Sequence, residues 1–247
     1  MRLSHVIGFD DAPFVRSHRG DVPVVGTVFA GSRLDGVLID RVRRDGANSA
    51  STLIRMIRDS KFVQHLQLVM LQGIALAGFN VVNVFELHDA LALPVLVIAR
   101  RRPDLAAVKS ALLTRVRGGR RKWSLIERLG PMEPVERVFV QRVGISLSDA
   151  AVVIRRFAIH SSIPEPLRVV GGRVIVADAA IDAVRQPDQD ARGLVRDPWR
   201  NGTERAREPP AADGIRRGEE AACDVSQLIH GLVPLDGLRV LRAARSG

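Results

Sequence analysis

Apolar residues come in two kinds of run, and their order along the chain predicts a mixed sheet. Residues 3–9 form a first strand-like run ending at Asp10-Asp11, and residues 22–30 form a second, β-branched run closed by Gly31-Ser32. Residues 37–42 alternate apolar and polar side chains, as a strand with one covered face does. The links between these runs are too short for crossover helices, so an antiparallel meander is expected. After Asp45-Gly46 and the polar cluster Asn48-Ser49-Ala50-Ser51, the helical spacing of Leu53, Ile54 and Ile57 predicts a helix over 52–60. A Ser or Asn at its start would cap it by accepting from free amides.

The pattern then changes. Residues 68–72 and 94–99 are continuous apolar runs, the mark of parallel strands buried on both faces. Between them lie a glycine-bearing loop, 74–80, and a helix over 81–91. Another helix is expected over about 104–117 behind Pro103, and Gly118-Gly119-Arg120-Arg121-Lys122 predicts an exposed basic tip. Residues 135–143 predict a further strand. Ser146 with Asp149 has the form of a capping box opening a helix over 147–158. Pro164 and Pro166 predict a rigid, non-helical connection over 163–168, because proline steers the residue before it away from helix. Beyond about residue 184 Arg, Asp, Glu, Pro and Gly dominate, and only residues 225–241 regain apolar side chains. The expected organisation is an α/β domain over 1–183 and a low-complexity, mostly disordered tail over 184–247. In open α/β sheets ligands collect at the carboxyl ends of the parallel strands, which singles out Gln72 and the loop after it.

Composition narrows the function classes. Cys223 is the single cysteine, so a disulfide framework and a cysteine zinc site are both excluded, and a reducing, cytoplasmic setting is expected. Asp10 and Asp11 interrupt the first apolar run, which argues against a signal peptide. Residues 66–85 carry no charge, but Gln67, Gln72, Gly73, Gly78, Asn80 and Asn83 are scattered through them, so two buried elements joined by a loop are expected rather than a membrane span. The six histidines show no metal-ligand spacing. Residues 1–183 hold 26 Lys or Arg against 17 Asp or Glu, so +9 of the net +10 falls on them. That surplus favours a polyanionic partner, nucleic acid first. Arg100-Arg101-Arg102 directly after a strand, and residues 118–122 with Trp123, are candidate contacts.

A meander, a helix and then parallel strands, with acids at the first strand and beside the first helix, is the layout of the ribonuclease H-like fold. The details resemble the endonuclease dU family, distant relatives of endonuclease V. The resemblance rests on Gly8-Phe9-Asp10-Asp11-Ala12-Pro13-Phe14, Asp45-Gly46-Ala47-Asn48, the stretch from Val69-Met70-Leu71-Gln72-Gly73 through Gly78-Phe79-Asn80 to Asn83, the stretch from Leu93-Pro94-Val95 to Arg102-Pro103-Asp104-Leu105, and the proline-rich segment 163–168. It covers roughly residues 1–175. It implies magnesium- or manganese-dependent hydrolysis of a phosphodiester near a deaminated base of deoxyuridine or inosine type, on DNA before RNA, with the base held out of the stack. By that resemblance Asp10, Asp11 and Asp45 are catalytic. Asp10 and Asp45 hold metal, with Asn48 and Gln72 as further ligands, and Gly73, Gly78, Asn80 and Arg168 contact substrate.

Two departures bear on activity. The family strand corresponding to 68–72 ends in Asp-Gly where this chain has Gln72-Gly73, and the second acid of an Asp-Gly-x-Asp motif is Asn48 here. A polar group expected just after the proline-rich segment falls near Gly171. Neutral amides bind cations far less well than carboxylates, so the alternative is a catalytically inactive nucleic-acid-binding protein of the same fold. A scaffold unconnected with nucleic acid is disfavoured by the charge. Each residue also has an ordinary explanation: Asp10-Asp11 ends a strand, Asp45-Gly46 is a turn signal, the glycines permit close packing, and Arg168 braces a terminal helix.

Overall fold

Strands β1 (His5–Asp11), β2 (Asp21–Ala30) and β3 (Arg33–Arg43) form the expected meander in the computed structural model, which describes residues 3–15 and 17–171. Helix α1 (Ser49–Arg58) leads to β4 (Leu68–Gln72), a two-stranded hairpin of β5 (Ala75–Leu76) and β6 (Asn80–Val81), helix α2 (Val84–Leu91) and β7 (Val95–Ala99). Then follow α3 (Leu105–Arg115), α4 (Gly119–Leu129), β8 (Glu133–Val135), β9 (Val138–Val143), α5 (Leu147–Phe157) and α6 (Glu165–Gly171). The main sheet has seven strands in the order β3-β2-β1-β4-β7-β9-β8. β1, β4 and β7 are parallel, and the β8–β9 hairpin adds to β7 in the antiparallel sense. This is the mixed sheet of the ribonuclease H-like fold, flanked by helices.

Every residue of β4 and of β7 is buried, which is why both read as unbroken apolar runs. One face of the sheet packs Ile7, Phe9, Val69 and Leu71 against α1, α2, α3 and α4. The other packs Leu68, Met70, Leu96 and Ile98 against α5 and α6. Among the described residues no helix is long and apolar enough to cross a membrane, and the uncharged stretch 66–85 forms β4, the β5–β6 hairpin and the start of α2.

Several expectations need correction. Residues 118–122 are exposed only in part: Gly118, Arg120 and Arg121 face solvent, but Gly118, with φ of 70°, turns the chain into α4, whose inner face buries Gly119, Lys122 and Ile126. The proline-rich segment does form a helix, α6. Pro166 sits in its first turn, where the amide it lacks would have had no helical partner. Residues 135–143 are not one strand, because Glu136, with φ of 55°, reverses the chain between β8 and β9. The helix of 52–60 begins at Ser49, and that of 81–91 begins at Val84 because Asn80 and Val81 pair with Leu76 and Ala75. The Ser146–Asp149 capping box forms as expected, with Asp149 N donating to Ser146 Oγ at 3.0 Å and Ser146 Oγ donating to Asp149 Oδ2 at 2.6 Å. The expected tail over 184–247, with its apolar stretch and Cys223, lies outside the described residues.

Helix α6 is pressed onto the sheet where β1 and β2 meet. Thr27 Oγ1 donates to Pro166 O at 2.5 Å, and a Cβ on Gly8 would lie 2.6 Å from the Pro166 carbonyl carbon. That neighbour is backbone and cannot swing aside. Gly8→Ala is therefore expected to cost roughly 1–3 kcal/mol, the usual range for overpacking. Gly20→Ala, whose new methyl would meet only the His18 ring edge at 3.4 Å, should change little. Chemical denaturation of the two variants compares them, and equal midpoints would show that α6 does not press on β1.

Candidate functional site

The carboxyl edge of the parallel strands collects polar side chains because the strands behind it are wholly apolar. Phe9 stands opposite Leu71, and Gln72 opposite Ile98. Side chains alternate along a strand, so Asp10 and Gln72 emerge together at this edge, on the face that carries α6. Arg100 follows β7 at the same edge and is exposed. Asp10 is 8% exposed and Gln72 4%. Burial, and next the neighbouring charge of Asp11, push the Asp10 carboxyl well above its ordinary value of 3.8. The Asp11 amide, donating to Asp10 Oδ1 at 3.0 Å, and the positive field of Arg100 work in the other direction.

A second cluster forms where the β3–α1 loop meets the β5–β6 hairpin. Asp45 N donates to Ala77 O at 2.9 Å, and Phe79 N donates to Asp45 Oδ1 at 2.8 Å, so Asp45 clamps the hairpin turn from both sides. Ala77 and Gly78 have φ of 48° and 82°, and a Cβ at Gly78 would stand 2.6 Å from Asp45 Oδ1, so only glycine fits there. Asn48 precedes α1 but makes no side-chain cap to it. Its Oδ1 instead accepts from Arg43 N at 3.0 Å and from Asn80 Nδ2 at 2.9 Å. Asn80 is fully buried, with Nδ2 also donating to Arg43 O and Oδ1 accepting from Ser49 N. Beneath this cluster Lys122 Nζ donates to Asp45 O at 2.6 Å. Burial lowers the Lys122 pKa, and the nearby Asp45 charge offsets part of that.

Asp10, Asp11 and Gln72 thus lie together at the edge, and Gly73, with φ of 77°, turns the chain out of β4 beside them. Asp45, Asn48, Gly78 and Asn80 lie together in the hairpin cluster. Arg168 joins neither, because both its Nε and its Nη2 bind Glu165 Oε2, at 2.7 and 2.5 Å. Buried Glu165 also accepts from His160 N at 3.2 Å, and its pKa is lowered chiefly by Arg168. Sequence reasoning misses Lys122 as a site residue. Helical spacing with Gly119 and Ile126 is the signal that could have found it, masked by the basic run around it.

The donor set does not fit a pair of divalent cations. Among the described residues no three Asp, Glu, His or Cys side chains gather where they could hold one ion. Asp45 is committed to the hairpin turn, and Asn48 and Gln72 contribute neutral amides where negative charge would be needed.

The family model for endonuclease dU matches residues 2–179. The chain belongs to that family. A UPF0215 protein of Deinococcus radiodurans is 54% identical over 167 residues, covering 68% of this chain and 85% of that one. A crystallised protein of unknown function from Archaeoglobus fulgidus superposes with a TM-score of 0.64 at 27% identity, covering 73% of this chain and 98% of that one. Endonuclease V of Ciona intestinalis, crystallised with inosine-containing DNA, aligns more loosely, at a TM-score of 0.46 and 14% identity over 69% of this chain and 83% of that one.

The raised pKa of Asp10 makes the stability of this endonuclease dU family member depend on pH. A carboxyl held above its unfolded value of 3.8 adds stability below that value and loses it as pH rises through the folded pKa. Asp10→Asn keeps the shape and the acceptor for Asp11 N but cannot ionise. It should melt at a higher temperature than the parent at neutral pH, by roughly 2–4 °C for each kcal/mol relieved, with the gap closing on acidification. Thermal melts of both proteins across that range give the answer, and a parent as stable as the variant at neutral pH would contradict a carboxyl whose ionisation burial opposes.

Proposed function

We propose that this endonuclease dU family member is a nucleic-acid-binding protein that engages DNA carrying a deaminated base at the carboxyl edge of its sheet, with little hydrolysis of the phosphodiester backbone. The observation that carries this reading is the state of the acid positions: Gln72 is an amide at the strand end, the Asn48 oxygen is held by Arg43 and Asn80, and the Asp45 oxygen is held by Phe79. The +9 balance of residues 1–183 supplies the attraction for the polyanion. The backbones of Gly73 and Gly78 are the proposed lining of the base site. Asn80 supports that lining from within, and Arg168 stands on α6.

A second reading, a magnesium- or manganese-dependent repair endonuclease, is favoured by one observation. Asp10 is buried against Asp11, and an ion held by this pair would relieve the repulsion between them.

Fluorescence anisotropy with duplexes containing deoxyuridine, inosine or neither, at low and high salt, together with a nicking assay in magnesium, separates the two. The expected result is salt-sensitive binding without appreciable nicking by the native chain. Asn48→Asp keeps the acceptor that Arg43 and Asn80 use, so Gln72→Asp combined with Asn48→Asp should fold and gain magnesium-dependent nicking by at least roughly tenfold. Brisk nicking by the native chain that is lost in Asp10→Asn would instead establish the second reading.

A further inference from the structure

The surplus of positive charge is concentrated on one element. Residues 105–129, the α3–α4 hairpin, hold seven Lys or Arg against the single acid Glu127, so this segment carries +6 of the +9 on residues 1–183. Lys122 is buried, but Lys109, Arg115, Arg117, Arg120, Arg121 and Arg128 are all exposed. Some arginines elsewhere are paired with carboxylates, such as Arg55 with Asp40 at 2.5 Å and Arg142 with Glu133 at 3.0 Å. Among the described residues Arg115, Arg117, Arg120 and Arg121 have no such partner.

We propose that the α3–α4 hairpin is the surface that grips the phosphate backbone of bound nucleic acid and leads it to the carboxyl edge of the sheet. This rests on the nucleic-acid reading above and adds the location of the interface. Three features of the hairpin support it. First, its shape is rigid: Gly118 adopts a left-handed turn, and a Cβ on Gly119 would stand 1.7 Å from the Leu112 carbonyl oxygen, so the two helices meet at a spacing only glycine permits. Charges held on a stiff scaffold lose less entropy when they bind. Second, the hairpin is tied to the candidate site, since α4 sends Lys122 inward to Asp45 O at 2.6 Å. Third, exposed Arg100, Arg101 and Arg102 join the end of β7 to the start of α3, which continues the basic track from Asp10 to the hairpin. Half-buried Trp123, with Lys109 Nζ 5.1 Å from its ring centre, adds an aromatic surface beside the charges.

The test compares two triple variants of the full chain with equal loss of charge. One is Arg117→Gln, Arg120→Gln and Arg121→Gln on the hairpin. The other is Arg137→Gln, Arg155→Gln and Arg156→Gln, exposed residues of the β8–β9 turn at one edge of the sheet and of α5, which packs on the face opposite the hairpin. Both sets should melt like the parent. Binding to a fluorescein-labelled duplex with one deoxyuridine is titrated over a series of salt concentrations. The hairpin variant should bind roughly tenfold to a hundredfold more weakly at physiological salt, with a salt slope shallower by about 0.9 for each phosphate it no longer neutralises, while the control stays near the parent. Equal weakening in both variants would mean that net charge alone attracts the DNA, and would overturn the hairpin as the interface. A hairpin variant that binds like a salt-sensitive parent would overturn it too, leaving the binding function intact. A parent that binds no duplex at any salt would remove the nucleic-acid reading and the hairpin proposal together.

Discussion

Burial of β1, β4 and β7 on both faces is the constraint from which the rest of the molecule follows. A parallel strand covered on each side has no place for a polar side chain except at its ends, and β4 and β7 show this with every residue buried. Polar groups are thereby driven to the carboxyl edge, where Asp10, Gln72 and Arg100 meet. The same covering layers bring α6 close enough to β1 that residue 8 must be glycine. The edge is therefore a product of the core, and its chemistry is set by the few residues that stand there.

At that edge the electrostatics favour neutral or cationic groups over a nest of carboxylates. Burial of Asp10 raises its pKa, and the Asp11 amide and then the charge of Arg100 offset part of that. In the hairpin cluster two cations stand against Asp45: Arg44 Nε lies 3.4 Å from its Oδ2, and Lys122, itself disfavoured by burial, holds its backbone carbonyl. The amides at 48 and 72 fit this setting because neither adds negative charge, and that of Asn48 also accepts from Arg43 N and Asn80 Nδ2. They also remove the field that would hold two divalent ions, so the features that suit the fold are those that weaken a metal-dependent reaction.

Much of the fold was readable in the sequence, and the misreadings share a cause. Unbroken apolar runs marked β4 and β7, and short connections marked the β1–β3 meander, because each signal is local. The Ser146 cap before α5 was readable for the same reason, as it acts within a single turn. The failures came where a distant partner decides. Lys122 sits within a run of basic residues and reads as surface; only the packing of α4 over Asp45 buries it. Asn48 reads as a cap, but Asn80, far along the chain, captures its oxygen. Asp10 and Asp45 read as one carboxylate group, yet the carboxylate of Asp45 is drawn into the turn of the β5–β6 hairpin by Phe79. Pro166 reads as a helix breaker because the rule for residues before proline ignores the first turn, where that rule is weakest.

Holding nucleic acid and cutting it draw on different physical resources in this architecture. Grip depends on many weak interactions with phosphates, each exchangeable and screened by salt, and the six exposed cations of the α3–α4 hairpin can supply them without exact placement. Cutting depends on a few groups held to within a fraction of an ångström around a buried charge. Neutral amides at 48 and 72 therefore withhold much of the second resource and none of the first. Lys122 connects the two: on one side it belongs to the cationic hairpin, and on the other it holds the backbone of Asp45, whose carboxylate shapes the turn beside Gly78. In the proposed function a strand drawn onto the hairpin is thus brought to a turn whose form is fixed in advance by the helix that carries the charge.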